Sequence, residues 1–210
     1  MMTITYPLDS GLYINMTNRC SNACDFCIRN GEDKGKENWN SDRDLVGTSK
    51  LWLDHEPTVE EVIESLKAAD FAKYDQIVFC GFGEPFERFD DCVKVAKWLK
   101  ENGAKYIRVN TNGQANLIQG RDVTPDMKGV FDEIGVSLNA ENAQKYQEIC
   151  HSVYGEKAYE GLLEFARLTA DKGIKVKMTV VDSIGQQAIE KCRKIAQDNG
   201  CELRVRELIE

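Results

Sequence analysis

Three cysteines fall within eight residues, Cys20-Ser-Asn-Ala-Cys24-Asp-Phe-Cys27, a CxxxCxxC run directly after an apolar segment. Thiolates are soft ligands suited to iron–sulfur clusters and zinc. Three on one short loop can hold three corners of a [4Fe-4S] cube. The fourth iron then stays open to substrate or cofactor, as an open catalytic metal position does. Zinc would want a fourth ligand. His55 is a candidate, but it lies well past Cys27 across an irregular stretch. Coincidental buried thiols are the third reading. The remaining cysteines, Cys80, Cys92, Cys150, Cys192 and Cys201, show no second cluster spacing and read mainly as small buried hydrophobes. A disulfide framework belongs to short, loop-rich secreted chains, so the tight group reads as a metal site in a reducing compartment.

Further chemistry sits in three short motifs. Gly81-Phe82-Gly83-Glu84-Pro85 follows an apolar run. Its glycines let backbone turn sharply and approach a ligand, and Glu84 offers a carboxylate suited to an ammonium group. A plain turn with a Glu near a helix start is the alternative. Asn110-Thr111-Asn112-Gly113 and Ser137-Leu138-Asn139 supply short hydroxyl and amide groups that suit sugar hydroxyls and carboxylates. Either alone reads as turn chemistry. Arg204 and Arg206 alternate with Leu203 and Val205, so both point to one side of a strand. Solvated or salt-bridged edge positions are expected for them. At a barrel mouth they could bind a carboxylate or phosphate.

These motifs need elements to position them. Strands are predicted at Leu12–Met16, Gln76–Cys80, Lys105–Asn110, Glu133–Leu138, Lys175–Val181 and Glu202–Val205. Between them, helical periodicity covers Thr58–Phe71, Asp90–Glu101, Tyr159–Lys172 and Ala188–Asn199, with shorter pieces at Asp122–Lys128 and Glu141–Ile149. The first opens on a Thr58/Glu61 capping box. Six βα units argue a parallel sheet covered by helices, fewer than the eight of a full barrel. The expected fold is α/β, a partial (β/α)6 TIM-like barrel of parallel strands, as a single domain over 1–210. All four motifs then fall at the C-terminal strand ends, where such folds place ligands. Residues 30–57 break the rhythm and read as a long irregular loop, either a lid or a solvated segment.

The chain has 210 residues, with Lys+Arg 27 against Asp+Glu 35, a formal net charge of −8. That balance argues against a broad nucleic-acid surface. No run reaches the roughly 18 apolar residues of a membrane span. The start, MMTITYPLDS, has neither a basic nor an apolar leader region. A cytoplasmic location is expected.

With these motifs in this order, the chain resembles radical S-adenosylmethionine (SAM) enzymes, and in particular the short radical SAM proteins associated with TatD-type nucleases. Phe82 departs from the commonest form, which has glycine there. The resemblance implies that Cys20, Cys24 and Cys27 bind a [4Fe-4S] cluster whose unique iron takes the methionine group of S-adenosyl-L-methionine. It implies that Phe26 lies near the adenine and that Gly81, Phe82, Gly83 and Glu84 meet the methionine ammonium. Asn110, Asn112, Ser137 and Asn139 would address ribose or carboxylate. It further implies reductive cleavage of SAM, hydrogen abstraction from a substrate, and an electron donor such as flavodoxin or ferredoxin. The substrate is open between a peptide or protein loop and a small heterocycle. The rival from another class is a non-catalytic zinc or electron-transfer protein with four protein ligands. No side chain is assigned as a general base, because the reactivity belongs to the cofactor.

Overall fold

The computed structural model describes residues 2–27 and 51–207. They build one seven-stranded sheet with its strands in chain order. β1 (Thr5–Leu8) and β2 (Gly11–Ile14) form an antiparallel hairpin. From β2 onward every pair is parallel, through β3 (Gln76–Phe79), β4 (Ile107–Thr111), β5 (Glu133–Ser137), β6 (Lys175–Val181) and β7 (Glu202–Arg206). These six are the expected strands, and with their crossover helices they form the partial-barrel α/β arrangement. β1 was not expected. It carries Pro7, which lacks an amide donor and is tolerated because β1 is an edge strand.

The helices are α1 (Val59–Ala68), α2 (Phe89–Glu101), α3 (Ala115–Gln119), α4 (Thr124–Met127), α5 (Ala143–Cys150), α6 (Lys157–Asp171) and α7 (Gln186–Asp198). The capping box forms as expected. Thr58 Oγ1 accepts from the Glu61 amide, and Glu61 Oε2 accepts from the Thr58 amide. α3 was not expected, since five residues leave too little periodicity to read.

Side-chain alternation splits the sheet into two faces. Leu12, Ile14, Ile77, Phe79, Ile107, Val109, Ile134, Val136 and Met178 face the helices and build the main core. Phe86 stands at its top, with ring centroids 5.3 Å from Phe89, 5.9 Å from Phe131 and 6.1 Å from Phe165. The other face carries the alternate residues. Tyr13, Val78, Arg108, Glu133 and Lys175 lie in one row across five strands. Nearer the C-terminal edge, Ser137, Thr179 and Arg204 form another row, with Val181 and Arg206 beyond it. Cys80 lies on this face too, its side chain bonded to Asn110, and so is not in the core as expected. No helix among the described residues is long and apolar enough to cross a membrane.

Candidate functional site

The C-terminal ends of β2 to β5 bring the four motifs to one edge of the sheet. The cysteine loop leaves β2 and docks on the end of α5. Ala23 N–H donates to Cys150 C=O at 2.9 Å, and Asp25 N–H donates to Ile149 C=O at 3.0 Å. The last carbonyls of a helix have no partner inside it, so the loop satisfies acceptors that would otherwise face water. Val153 N–H donates to Ser21 C=O at 2.9 Å, and His151 Nε2 pairs with Asp25 Oδ1 at 2.8 Å. Within the loop, Cys27 N–H closes a turn onto Cys24 C=O at 3.0 Å. All three cysteines are half-buried thiols outside any disulfide.

The glycine motif lies flat against the segment that leads into this loop. A Cβ on Gly81 would stand 2.0 Å from Asn15 Oδ1, and one on Gly83 would stand 2.2 Å from the Thr17 carbonyl oxygen. No side chain fits at either place. Glu84 N–H donates to Arg19 C=O at 2.8 Å and pins the two segments together. The need for glycine here comes from close backbone packing.

Glu84 is buried, and its carboxylate is engaged from within the protein. Oε1 accepts from Thr111 Oγ1 at 2.7 Å and from the Phe86 amide at 3.1 Å, while Oε2 accepts from the Asn112 amide at 2.7 Å. Burial pushes its pKa up to about 7, against the lowering effect of these hydrogen bonds. Asn112 continues the chain of contacts. Its Nδ2 donates to Ser21 Oγ at 2.8 Å, and its Oδ1 accepts from the Gln114 amide. Gln114 Nε2 then donates to Asn22 Oδ1 at 2.8 Å and to the Tyr146 hydroxyl at 3.0 Å. The glycine motif, the end of β4 and the cysteine loop are thereby one buried network. Sequence reasoning missed Ser21, Asn22, Thr111, Gln114 and Tyr146. Of these, Thr111 lay inside the Asn110–Gly113 motif and Ser21 and Asn22 inside the cysteine motif, whereas Gln114 and Tyr146 lay in no motif singled out.

The other expected residues are placed as follows. Phe26 is half-buried beside Cys27. Asn110 and Ser137 face the inner side of the sheet, half-buried. Asn139 is buried in a left-handed conformation, φ 59°. Its Nδ2 donates to Cys150 Sγ at 3.3 Å, and its Oδ1 has no hydrogen-bond partner among the described residues. Phe82 packs with Tyr6, Leu51 and Trp52, the Trp52 ring edge-on at 5.2 Å. Of the long irregular stretch, 30–50 lies outside the described residues. Its end is held, since Asn15 Nδ2 donates to Leu51 C=O at 2.6 Å and Asn18 bonds both backbone groups of Leu53. His55 is exposed and engaged by Glu61, at the start of α1.

A partial barrel with a three-thiol loop at its C-terminal edge defines a class of cofactor-dependent enzymes. Residues 14–194 match the family model described as the Radical SAM superfamily. The chain belongs to that superfamily. A probable GTP 3′,8-cyclase of Methanothermobacter marburgensis is 25% identical over 203 residues, covering 97% of this chain and 58% of that protein. Among solved structures, Streptococcus suis SuiB bound to S-adenosylmethionine aligns with a TM-score of 0.64 and 14% identity, over 97% of this chain and 40% of that one. HydG, the FeFe-hydrogenase maturase of Carboxydothermus hydrogenoformans, aligns with a TM-score of 0.65 and 15% identity, over 95% and 44%. The chain thus spans little more than half the length of the curated relative. The match speaks to the superfamily and leaves the TatD-associated subgroup unaddressed.

Membership implies an iron–sulfur cluster and SAM. The donor set fits both. Among the described residues no three His, Cys, Asp or Glu side chains converge on a single-ion position. A cluster asks for a different geometry, since each thiolate meets its own iron. For SAM, the orphaned Asn139 Oδ1 would offer a buried acceptor.

Proposed function

We propose that this chain is a radical SAM enzyme that cleaves S-adenosyl-L-methionine reductively and removes a hydrogen atom from a small heterocyclic substrate. The single observation that carries the reading is the buried network from Glu84 through Asn112 to Ser21. It ties the glycine motif and the end of β4 to the cysteine loop. A zinc scaffold or electron-transfer protein has no need for it.

Cys20, Cys24 and Cys27 hold the [4Fe-4S] cluster in this reading. The reduced cluster with bound SAM supplies one-electron cleavage of the sulfonium and hydrogen abstraction. The protein's own part is positioning and a dry, fixed pocket. The end of α5 fixes the height of the cysteine loop above the sheet, through Ala23 and Asp25. Glu84 acts chiefly by holding the Asn112 amide and Thr111, and the unused lone pair of Oε2 is left for an ammonium. The backbone of Gly81, Phe82 and Gly83 meets the rest of that group. Phe26 lies by the adenine. Asn110 and Ser137 face the ligand from the inner face, and Asn139 Oδ1 accepts from a ribose hydroxyl. Asn112, with both ends of its amide occupied, serves as the brace between loop and β4.

Two relatives' names favour the small-heterocycle substrate over a peptide, since both are called probable GTP 3′,8-cyclases. A flavodoxin- or ferredoxin-type donor in the cytoplasm would supply the electron. The test is anaerobic reconstitution with iron and sulfide, reduction, and addition of SAM with and without GTP. Formation of 5′-deoxyadenosine that depends on Cys20, Cys24 and Cys27 supports the reading. A cluster whose spectrum ignores SAM, together with no deoxyadenosine, refutes it.

A further inference from the structure

The inner face of the sheet carries a charge arrangement that the cofactor reading does not use. Arg204 lies in the row of Thr179 and Ser137, and Arg206 stands beyond it beside Val181. The two side chains project to the same face with their Cα atoms roughly 6.7 Å apart, two strand rises. Every other described arginine, Arg19, Arg88, Arg108, Arg121, Arg167 and Arg193, lies within 4.0 Å of a carboxylate. Arg204 and Arg206 have no such partner among the described residues. Both are exposed on the edge strand, so of the two expected readings the solvated one holds and the salt-bridged one does not. Their neighbours in the rows are a serine, a threonine and a valine.

Two further observations point the same way. Arg108, from the row nearer the N-terminal edge, shares this face, and its side chain is 14% exposed. Its Nη2 donates to the Tyr13 hydroxyl at 3.3 Å, while its buried Nε–H has no acceptor among the described residues. Arg108 and Arg206 both act electrostatically on the half-buried Cys80 thiol just past the end of β3, on the same face. Arg206 is exposed as a residue, yet partial desolvation of its guanidinium and the like charge of Arg204 lower its pKa from the ordinary value. An oxyanion between these groups would relieve the repulsion and satisfy the orphan donor. This concentration of unpaired positive charge occurs in a chain whose net charge is −8.

We infer that Arg204 and Arg206, with Arg108 at the base, bind an oxyanion group of the substrate, a phosphate or a carboxylate. Guanidinium forks match either group bidentately. Calling the ligand a substrate rests on the radical SAM reading, whereas the anion site itself does not.

The test uses the full chain reconstituted with its cluster. Isothermal titration calorimetry would measure binding of tripolyphosphate, GTP, citrate and, separately, SAM to the wild type and to Arg204→Gln, Arg206→Gln and the double variant. Wild-type binding of the phosphate probes or of citrate is expected, and which of the two binds tells phosphate from carboxylate. Each single substitution should weaken it by about ten- to a hundred-fold, while SAM affinity stays within about two-fold. The variants should melt no lower than the wild type, since neither arginine holds another element. Three results overturn the inference. They are no binding of any anionic probe to the wild type, binding indifferent to both substitutions, and a loss confined to SAM, which would give the arginines to the cofactor's carboxylate. Failure to form deoxyadenosine with anion binding intact would instead count against the radical SAM reading alone.

Discussion

Replacing Glu84 with glutamine isolates the energetics of the buried network. In the wild type the folded-state pKa of Glu84 is raised from 4.5 to about 7 by burial. Because the folded value lies above the unfolded one, stability from this group is complete below about pH 4.5 and is lost as pH rises through 7. At about 1.4 kcal/mol for each tenfold in proton affinity, wild-type stability from this source falls by roughly 2–3 kcal/mol between pH 5 and pH 8. Glutamine keeps an acceptor for Thr111 and the Phe86 amide but turns an NH2 toward the Asn112 amide. That leaves a donor facing a donor, at about 1–3 kcal/mol. The variant is therefore expected to be less stable than the wild type at pH 5 and to draw level or pass it by pH 8. Urea unfolding of both proteins at pH 5, 6, 7 and 8, prepared identically, reads the difference. Parallel pH profiles, or a gap that closes toward acid, would refute the assignment of Glu84 as the buried titrating group.

Other consequences follow from single contacts. Gly83→Ala drives a methyl group into the Thr17 and Arg19 carbonyls. It should destabilise by about 3 kcal/mol or more and lower iron content after reconstitution, checked by thermal melts and iron assay. Cys27→Ala should abolish the SAM-induced change in the cluster spectrum. Cys192→Ala, a buried thiol on α7, should leave that change intact. Asn112→Ala removes the brace to Ser21 and the Gln114 turn, which should cost about 1–3 kcal/mol and raise the Kd for SAM. Equal SAM affinity in that variant would count against the brace. Phe86→Ala, at the centre of the aromatic stack, should destabilise by about 3–5 kcal/mol in denaturant titrations.

Much of this protein was legible along the chain because it is written in short-range patterns. Period-2 and period-3.6 hydrophobicity located six strands and most helices, since burial of one face imposes that spacing wherever an element packs. The three thiols were recognisable because they are closely spaced on one loop. The glycine and amide motifs were recognisable because they end strands. α3 and β1 escaped because four or five residues carry too little period.

Tertiary structure decided what each polar group meets. Nothing near Ser21 announces that it bonds Asn112, 91 residues away, or that Asn22 bonds Tyr146, 124 residues away. Glu84 read locally as a free carboxylate for an ammonium. Only the approach of β4 engages it with Thr111 and Asn112. The dock of the cysteine loop on α5 likewise depends on two segments far apart in the chain. Alternation showed that Arg204 and Arg206 share a side, but a period of two has no sign. Pairing with β6 determined that the side is the inner face, because register carries the orientation of the buried sheet to its last strand.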